Sequence, residues 1–308
     1  MGRKNTRGEI LERLHKKMAQ GKGLLVAATG SGLNAKSAEA GGTDILMILH
    51  TGRMRQMGLP SIATPPKSPN EMVREMFPEQ AFATKDIPLL AGITVGEYDA
   101  QDDLDGMIDA YLELGASGVV NFMSSGEIGC EDFLEIAGKD EAEDGLGALR
   151  ISGEQAMFEE CRRREERGVG FAREVELIRR CHERDIFTIT YVFSEQQAAD
   201  MARAGADGVI PHCGGTGGGM VGHNSVLGYE AAAARIQRMF DAARAVNPEI
   251  LLFGHGGPFA SPEDTVWLYK LTNAQGFVAG SGLDRLPIEK AITSCAEQFG
   301  EAMLRAGK

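Results

Sequence analysis

The sequence has few of the features that mark secreted, membrane or zinc-binding proteins. Its 308 residues include five cysteines, an odd number with no CxxC pair. That pattern argues against a disulfide framework and a tetrathiolate zinc site, and it favours a reducing, cytoplasmic location. No apolar run approaches the roughly 20 residues that cross a bilayer, and the N-terminus has no apolar signal region.

An excess of positive charge is also missing. The formal net charge is −12, which argues against a broad basic face for phosphate backbones or anionic lipids. We therefore expect no nucleic-acid and no membrane partner. A small anionic metabolite stays compatible with the composition, because a pocket of backbone N–H groups acts locally whatever the net charge.

A helical stretch, a glycine-rich turn and a short apolar strand recur along the chain. The pattern appears as "AEAGGTDILMIL", "LELGASGVVNFM" and "ARAGADGVIPHC". The strands are continuous apolar runs, which is typical of parallel strands buried on both faces. Eight such runs are predicted, and they start at Leu24, Ile45, Leu89, Gly118, Phe187, Gly208, Ile250 and Gly276.

Eight parallel strands alternating with amphipathic helices predict an α/β protein, a single (β/α)8 TIM barrel over residues 1–308. An open doubly wound sheet is the alternative. An N-terminal helix is expected within residues 1–20. The prolines of residues 51–88 predict an ordered loop over one barrel end. Residues 124–170 form a charged insertion after strand 4, which is a lid, a partner surface or a solvated segment.

Polar residues follow the strands at their carboxyl ends, where TIM-barrel active sites lie. We assign catalytic roles to Lys36, Asn121, His212 and His255. The first two would polarise a carbonyl or enolate oxygen, while His212 would move protons and His255 would help to hold an anion. Because the two histidines end neighbouring strands, their imidazoles are expected to converge.

A second group of candidates comprises Glu97, Tyr191 and Cys213. Tyr191 interrupts an apolar strand, so its hydroxyl needs a structural partner or a substrate. Cys213 is either a nucleophile beside a histidine or an inert buried thiol. Zinc held by the histidines with Cys213 or Glu97 is a further alternative, although the spacing matches no metal signature.

Glycine-rich loops precede three predicted helices and indicate an anion-binding site. Helix N-termini offer free N–H groups and a partial positive charge. The candidate residues are Gly30, Ser31, Gly32, Gly256, Gly257, Gly280, Ser281 and Gly282, with Arg285 adding a charge-assisted contact. The alternative is that these glycines only turn the chain. Six further glycines in "PHCGGTGGGMVG", residues 211–222, are expected to clear space for backbone donors and a ligand.

Long segments of the chain, covering roughly residues 10–300, resemble the phosphoenolpyruvate hydrolase-like TIM-barrel family. This family is also called the TIM-barrel signal-transduction family and is related to the C-terminal domain of a plant tobamovirus-resistance protein. The resemblance rests on "GSGLNAKSAEAGGTDILMILHTGRMR", "IPLLAGI", "VNFMSSG", "AREVELIRRCHERDIFTITYVFSEQQAADMARAGADGVIPHCG", "GHGGPFASPED" and "GFVAGSGLDRLPIEKAI".

The resemblance implies a hydrolase or a C–C/C–O lyase that acts on a small anionic 2-oxo acid or phosphorylated metabolite. It also implies a divalent cation such as Mg²⁺ and homo-oligomers that exchange or pack their last helix. The carboxylate cluster that holds magnesium in the superfamily has no obvious counterpart here. The family motifs fall on Gly30, Gly32, Lys36, Glu39, Gly52, Arg53, Asn121, Glu174, His212, His255, Gly256, Gly257, Arg285 and Pro287. The alternative function is a non-catalytic metabolite-sensing or protein-interaction module.

Overall fold

Eight parallel strands close into a barrel in which each strand pairs with its neighbours in the chain and the last pairs with the first. The computed structural model describes residues 4–97, 103–127, 146–223 and 226–307, without the side chains of 146–152. The strands are Leu24–Ala28 (β1), Ile45–Ile48 (β2), Leu89–Ile93 (β3), Gly118–Asn121 (β4), Phe187–Val192 (β5), Gly208–Pro211 (β6), Leu251–His255 (β7) and Gly276–Ala279 (β8). The predicted TIM barrel is confirmed, and the open sheet is excluded.

Helices surround the barrel. Those described are Arg7–Met18 (α1), Gly32–Ala40 (α2), His50–Gln56 (α3), Pro69–Ala83 (α4), Leu104–Glu113 (α5), Leu146–Glu166 (α6), Phe171–Glu183 (α7), Glu195–Arg203 (α8), Tyr229–Val246 (α9), Pro262–Leu271 (α10), Ser281–Asp284 (α11) and Leu286–Arg305 (α12), with a 3-10 turn at Ser125–Glu127. Among them, none combines the length and apolar character that a membrane span requires.

Glycines in left-handed conformations end the helices that lead into buried strands. Gly42, Gly115 and Gly205 follow α2, α5 and α8 with φ values of 87°, 104° and 93°. A residue with a Cβ adopts this conformation at a cost, so glycine is favoured there. These are the glycine-rich turns of the repeated sequence pattern, and they reverse the chain before β2, β4 and β6.

Apolar side chains fill the inside of the barrel. Val26, Met47, Val120, Ile189 and Phe253 belong to one buried cluster with essentially no exposure. Helix α1, which begins with a capping box between Thr6 and Glu9, adds Ile10 and Leu14 to the same cluster. Each such side chain contributes about 1.5–3 kcal/mol through burial. Because the interior is filled, space for a ligand lies beyond the carboxyl ends of the strands.

The two long connections both contribute to that end of the barrel. Residues 51–88 form α3, a proline-containing loop and α4, and the loop residues Pro60, Ser61 and Ile62 line the cavity described below. Residues 124–170 include the 3-10 turn and α6, while 128–145, with most of the acidic stretch, lie outside the described residues.

Candidate active site

A cavity of about 110 Å³ opens at the carboxyl end of the barrel. Tyr191, His212 and His255 line it from the strand ends, and Arg55 and Glu127 line it from α3 and the 3-10 turn. One water needs about 10–15 Å³ by the same measure, so this cavity accommodates a small metabolite. We call it the mouth cavity.

The mouth cavity brings His212 and His255 together. Their backbones form a parallel bridge, and their ring centroids lie 5.2 Å apart. The ring of Tyr191 lies 5.3 Å from that of His255 and 6.1 Å from that of His212. Burial lowers the pKa of His255 to about 4, and burial together with the nearby His255 lowers the pKa of His212 well below its usual value. Both imidazoles are therefore neutral at pH 7.

Hydrogen bonds at Nδ1 give the two neutral imidazoles opposite roles. His255 Nδ1 lies 2.9 Å from the carbonyl oxygen of Val278, which can only accept, so this nitrogen carries the proton. The Nε2 of His255 is then an acceptor. The N–H of Gly214 donates to His212 Nδ1 at 3.3 Å, so His212 carries its proton on Nε2. The site thus contains one imidazole donor and one imidazole acceptor.

A buried arginine, Arg55, forms another wall of the mouth cavity. Its Nε donates to Asp284 Oδ2 at 2.8 Å and its Nη2 donates to the Ala28 carbonyl at 2.8 Å. The two side chains are 4% and 0% exposed. Asp284 Oδ1 also accepts from the N–H of Gly30 at 2.9 Å and from Asn34 Nδ2 at 2.7 Å. These bonds fix the guanidinium in one orientation.

The Nη1 atom of Arg55 makes longer hydrogen bonds than Nε and Nη2. It makes only long contacts of 3.4 Å to the hydroxyls of Thr51 and Ser61. A Cβ built on Gly280 would lie 3.8 Å from both Arg55 Nη1 and His255 Cε1, so Gly280 separates the two side chains. An arginine held in this way is suited to bind a carboxylate through charge-assisted hydrogen bonds.

Sequence reasoning missed Arg55 and pointed to its neighbour Arg53. Arg53 lies on the outer side of α3, where it forms a half-exposed ion pair with Glu79. The position of α3 was a signal that could have identified Arg55. Because α3 begins directly after β2, Arg55 lies about one turn into this helix and therefore close to the carboxyl end of the strand. Neither composition nor spacing distinguishes the two arginines, since both fit an amphipathic helix.

Two carboxyl groups, Glu127 and Glu154, line the mouth cavity from the insertion. Burial, and next the charge of Glu154, raises the pKa of Glu127 to about 8. Glu127 is therefore mainly protonated at pH 7 and can donate a proton. Glu154 Oε1 lies 3.8 Å from Nδ1 of His223, another residue that lines the cavity. In the sequence the region is recognisable only as a charged insertion, and nothing distinguishes these two residues from its other acidic residues.

The loop after β1 offers N–H groups, but the protein's own carboxylates bind them. The N–H of Gly30 donates to Asp284, and the N–H of Gly32 donates to Glu79 Oε1 at 2.6 Å. Ser31 caps α2 with its side chain. None of these three residues lines the mouth cavity. The predicted anion site at this loop is thus corrected: its donors are used internally.

In the loops after β7 and β8, some of the predicted anion-site residues only pack against other backbone, and the others line the mouth cavity. Gly256 and Gly257 have φ values of 81° and 56° and pack against the loop after β6, where the N–H of Gly257 donates to Gly214. A Cβ on Gly282 would lie 2.5 Å from the Ala260 carbonyl oxygen. These glycines allow close backbone contact and do not line the cavity.

Gly280, Ser281 and Arg285 do line it. Arg285 Nη2 donates to the Gly218 carbonyl at 2.8 Å, and Nη1 pairs with Glu289 at 3.1 Å. Arg285 therefore ties α12 to the glycine-rich loop after β6.

The glycine-rich loop after β6, residues 211–222, packs directly against the side chains of His223 and Arg285. A Cβ on Gly215 would lie 2.0 Å from His223 Nε2, and one on Gly222 would lie 2.2 Å from Arg285 Nη2. Gly214 and Gly215 line the mouth cavity. The glycines of residues 211–222 therefore make room for His223 and Arg285 as well as for the cavity.

Lys36 and Asn121 do not have the positions that their predicted roles require. Lys36 is exposed on α2 and does not line the mouth cavity. The Asn121 amide donates to Glu174 Oε2 at 2.8 Å and to the Tyr191 carbonyl at 3.1 Å, and it accepts from the Tyr191 N–H at 2.8 Å. All three bonds are internal, so Asn121 joins β4 to β5 and stabilises the barrel.

Cys213 and Glu97 also differ from their predicted roles. The Cys213 thiol is buried and donates to the His255 carbonyl at 3.0 Å. Burial raises its pKa to about 12, so it is a protonated thiol at neutral pH and a poor nucleophile. Glu97 lies away from the mouth cavity and lines a second one.

Two buried carboxylates, Glu174 and Asp284, do not suit a divalent cation. Glu174 accepts from Asn121, from the Ser124 hydroxyl, from the Ser125 N–H and from Arg164. Asp284 is saturated in a similar way by Arg55 and amide donors. Mg²⁺ needs carboxylate oxygens that are not already neutralised. In the described parts of the chain, no group of three or more His, Cys, Asp or Glu residues has metal-binding geometry.

Comparisons with known proteins agree with this architecture. The profile of the family described as "Phosphoenolpyruvate hydrolase-like" matches residues 9–138 and 156–302. The protein "ToMV susceptible protein tm-1(GCR26)" of Solanum lycopersicum is 31% identical over 293 residues, which cover 94% of this chain and 35% of that protein. The chain thus spans about a third of the length of this relative.

Two solved structures share the fold. Phosphonopyruvate hydrolase, in complex with oxalate and Mg²⁺, has a TM-score of 0.57 at 16% identity, with 98% of this chain and 88% of that chain covered. Phosphoenolpyruvate phosphomutase from Streptomyces platensis subsp. rosaceus has a TM-score of 0.56 at 14% identity, with 99% and 89% covered.

Proposed function

Because this chain belongs to the phosphoenolpyruvate hydrolase-like family, we propose that it is an enzyme that cleaves a small anionic 2-oxo acid in the mouth cavity, as a hydrolase or C–C/C–O lyase. One observation carries the proposal: Arg55, two neutral imidazoles of opposite polarity and the protonated Glu127 line the same small cavity. The structurally similar phosphonopyruvate hydrolase binds oxalate, a small dicarboxylate, in its crystal.

Arg55 binds the substrate carboxylate in this proposal. Its Nη1 edge is next to Gly280, where the missing side chain leaves space for the carboxylate. The buried Asp284 holds the guanidinium in place, so little side-chain entropy is lost when the substrate binds. This role replaces the one that the sequence suggested for the glycine loop after β1.

His212 and Tyr191 stabilise the oxygen that becomes negative. The His212 Nε2–H is an oriented donor, and burial raises the pKa of Tyr191, so its phenol also stays protonated. Hydrogen bonds aimed at a developing enolate oxygen stabilise the transition state more than the ground state. These two residues take over the function first predicted for Lys36 and Asn121.

His255 and Glu127 move the protons. His255 Nε2 accepts a proton from the attacking water, the hydroxyl adds to one fragment, and the bond pair leaves on the other fragment as an enolate. Glu127 then donates its proton to the enolate carbon. Transfer of the proton from His255 to Glu127 restores both groups. Burial lowers the pKa of His255 to about 4, whereas burial and the charge of Glu154 raise the pKa of Glu127 to about 8. The proton therefore moves readily from His255 to Glu127.

A divalent cation would supply Lewis-acid stabilisation of the same oxygen, as the Mg²⁺ in the phosphonopyruvate hydrolase crystal suggests. The saturated carboxylates Glu174 and Asp284 do not fit such an ion. We therefore assign no step to a metal.

We further propose that the protein is a homo-oligomer that uses α12. No residue of this helix is buried. Ile292, Phe299 and Met303 are 65%, 78% and 66% exposed, and their spacing of seven and four residues puts them on one helix face. An apolar face of this kind is stabilised by burial against another copy.

Turnover of two 2-oxo acids and of phosphoenolpyruvate, an enol phosphate, tests the enzyme proposal. Oxaloacetate, phosphonopyruvate and phosphoenolpyruvate are incubated with the protein and followed by NMR. We expect one of them to be consumed, with kcat/KM reduced about 10²–10⁴-fold in His212→Gln and His255→Gln. The exposed Lys36→Gln variant serves as the control and retains activity. Unchanged turnover in both histidine variants contradicts the assignment. Binding of these acids without turnover instead supports a metabolite-sensing module.

A further inference from the structure

A second, larger cavity of about 480 Å³ lies beside the mouth cavity. It is bounded by the loop of residues 61–65, the end of β3 and helix α6. Ser61, Ile62, Met123 and Met157 line both cavities, so these residues form the wall between them. The volume of the second cavity is within the range of small-molecule sites in proteins. We call it the side cavity, and none of the proposed catalytic residues lines it.

Three buried polar atoms of residues lining the side cavity have no hydrogen-bond partner among the described residues. They are Nδ1 of His50, Oε1 of Glu97 and Nε of Arg164. Buried polar groups are nearly always paired in native proteins, because an unpaired one has lost its water without compensation. Three such atoms around one cavity indicate that a polar molecule completes their hydrogen bonding.

The other bonds of these side chains fix them in position. Arg164 donates from Nη1 and Nη2 to the Met123 carbonyl at 3.0 Å and pairs with Glu174 at 3.2 Å, which leaves Nε. The other oxygen of Glu97 accepts from the Asn70 N–H at 3.1 Å, which leaves Oε1. A cationic donor and a carboxylate acceptor are therefore both preorganised.

The charges around the side cavity are balanced. Three arginines and three glutamates line it: Arg163, Arg164, Arg167, Glu97, Glu160 and Glu166. Glu160 pairs with Arg163 at 3.0 Å and with Arg167 at 3.6 Å, so the lining has little net charge and favours neither a simple anion nor a simple cation. A ligand that carries both charges is electrostatically complementary.

The remaining wall of the side cavity is apolar. Ile62, Ala63, Pro65, Ala156 and Met157 contribute side chains to it. This surface suits a hydrocarbon group a few carbons long.

We propose that the side cavity is a binding site for a small zwitterionic α-amino acid with an apolar side chain. Its carboxylate accepts from Nε of Arg164, and its ammonium group donates to Oε1 of Glu97. His50 adds a neutral nitrogen that completes the polar part of the site. None of the residues of this site takes part in the proposed reaction. The amino-acid site can therefore be present whether or not the proposed reaction is correct.

Calorimetric titration of the full chain tests this site. The probes are L-leucine and L-methionine, with 4-methylpentanoate and isopentylamine as analogues of leucine that lack one of the two charges. We expect an amino acid to bind and each analogue to bind at least about tenfold more weakly. Glu97→Gln is expected to weaken amino-acid binding about tenfold, because it removes the charge that meets the ammonium group.

Two further variants separate the side cavity from the mouth cavity. Ala156→Phe adds a ring to a helical position that lines only the side cavity, and it is expected to abolish amino-acid binding. His255→Gln changes only the mouth cavity and is expected to leave that binding within about twofold. Circular dichroism checks that each variant is folded.

Three results would overturn the proposal. They are no binding of either amino acid to the wild-type chain, equal binding of leucine and its singly charged analogues, or binding that survives in Ala156→Phe and is lost in His255→Gln.

Discussion

Arg55 and Asp284 join α3 to α11 through a buried ion pair whose Nε and Oδ2 atoms lie 2.8 Å apart. Two residues earlier in the same helix, Arg53 pairs with Glu79 at 2.6 Å, with side chains 35% and 43% exposed. The two pairs involve the same charge types and differ mainly in burial. They therefore provide a matched comparison within one helix.

Loss of the buried partner is expected to destabilise the fold far more than loss of the exposed one. Asp284→Asn should lower the free energy of unfolding by about 3–5 kcal/mol, because it leaves a buried guanidinium without its counter-charge. Glu79→Gln should cost less than about 1 kcal/mol, since water screens that pair. Urea-induced unfolding measures both values. Similar small losses in the two variants would show that Arg55 is solvated.

The protonation state of Glu127 predicts a pH-dependent difference in stability. Its pKa is raised from 4.5 to about 8, first by burial and next by Glu154. Between these values the unfolded chain loses this proton while the folded chain keeps it, so the contribution of Glu127 to stability decreases as pH rises.

Glu127→Gln lacks this titration, so its stability relative to the wild type should increase steadily from pH 5 to pH 8. Thermal melts of both proteins across this range test the prediction. Melting curves that shift in parallel would mean that Glu127 has an ordinary pKa. Turnover that uses Glu127 as the acid should also decrease above about pH 8 in the wild type.

Cysteine reactivity distinguishes a structural thiol from a nucleophile at position 213. Cys213 is buried with a pKa raised to about 12, whereas Cys295 is exposed on α12. Iodoacetamide at pH 8, applied to the chain diluted to the monomer so that no partner covers α12, should therefore modify Cys295 and leave Cys213 unmodified in the folded protein, as mass spectrometry of the peptides would show. Cys295→Ser should remove the modified peptide that contains position 295 and leave the Cys213 peptide unmodified. Preferential labelling of Cys213 would restore it as a candidate nucleophile.

The barrel was predictable because its signals are local. Each strand is a continuous apolar run, and before β2, β4 and β6 a glycine such as Gly42 or Gly205 marks the turn. The predicted strand starts agree with the observed ones, apart from a difference of one residue in β7, which begins at Leu251 instead of Ile250. Periodicity of this kind arises from burial on both faces and needs no knowledge of distant contacts.

The site was only partly predictable because its hydrogen bonds join distant parts of the chain. The N–H groups of the loop after β1 were correctly recognised as donors, but Asp284, 254 residues from Gly30, accepts from one of them. The sequence predicts Asn121 as a substrate ligand, but Tyr191 and Glu174 use both the oxygen and the nitrogen of its amide. Convergence of His212 and His255 followed from strand order alone.

The proposed homo-oligomer is tested at the exposed apolar face of α12. Replacing Phe299 with Glu puts a charge in the centre of the exposed apolar face and should shift the protein towards the monomer in sedimentation velocity. Glu297→Lys, an exposed change on the same helix, should leave the assembly unchanged. A wild-type chain that sediments as a monomer at all concentrations would contradict the proposed oligomer.

The most direct test of the account is a crystal structure of the chain grown with oxalate. We predict oxalate in the mouth cavity, with one carboxylate on Nη1 of Arg55 next to Gly280 and an oxygen within hydrogen-bonding distance of His212 Nε2. Oxalate bound elsewhere on the protein, with the mouth cavity filled by water, would contradict the account.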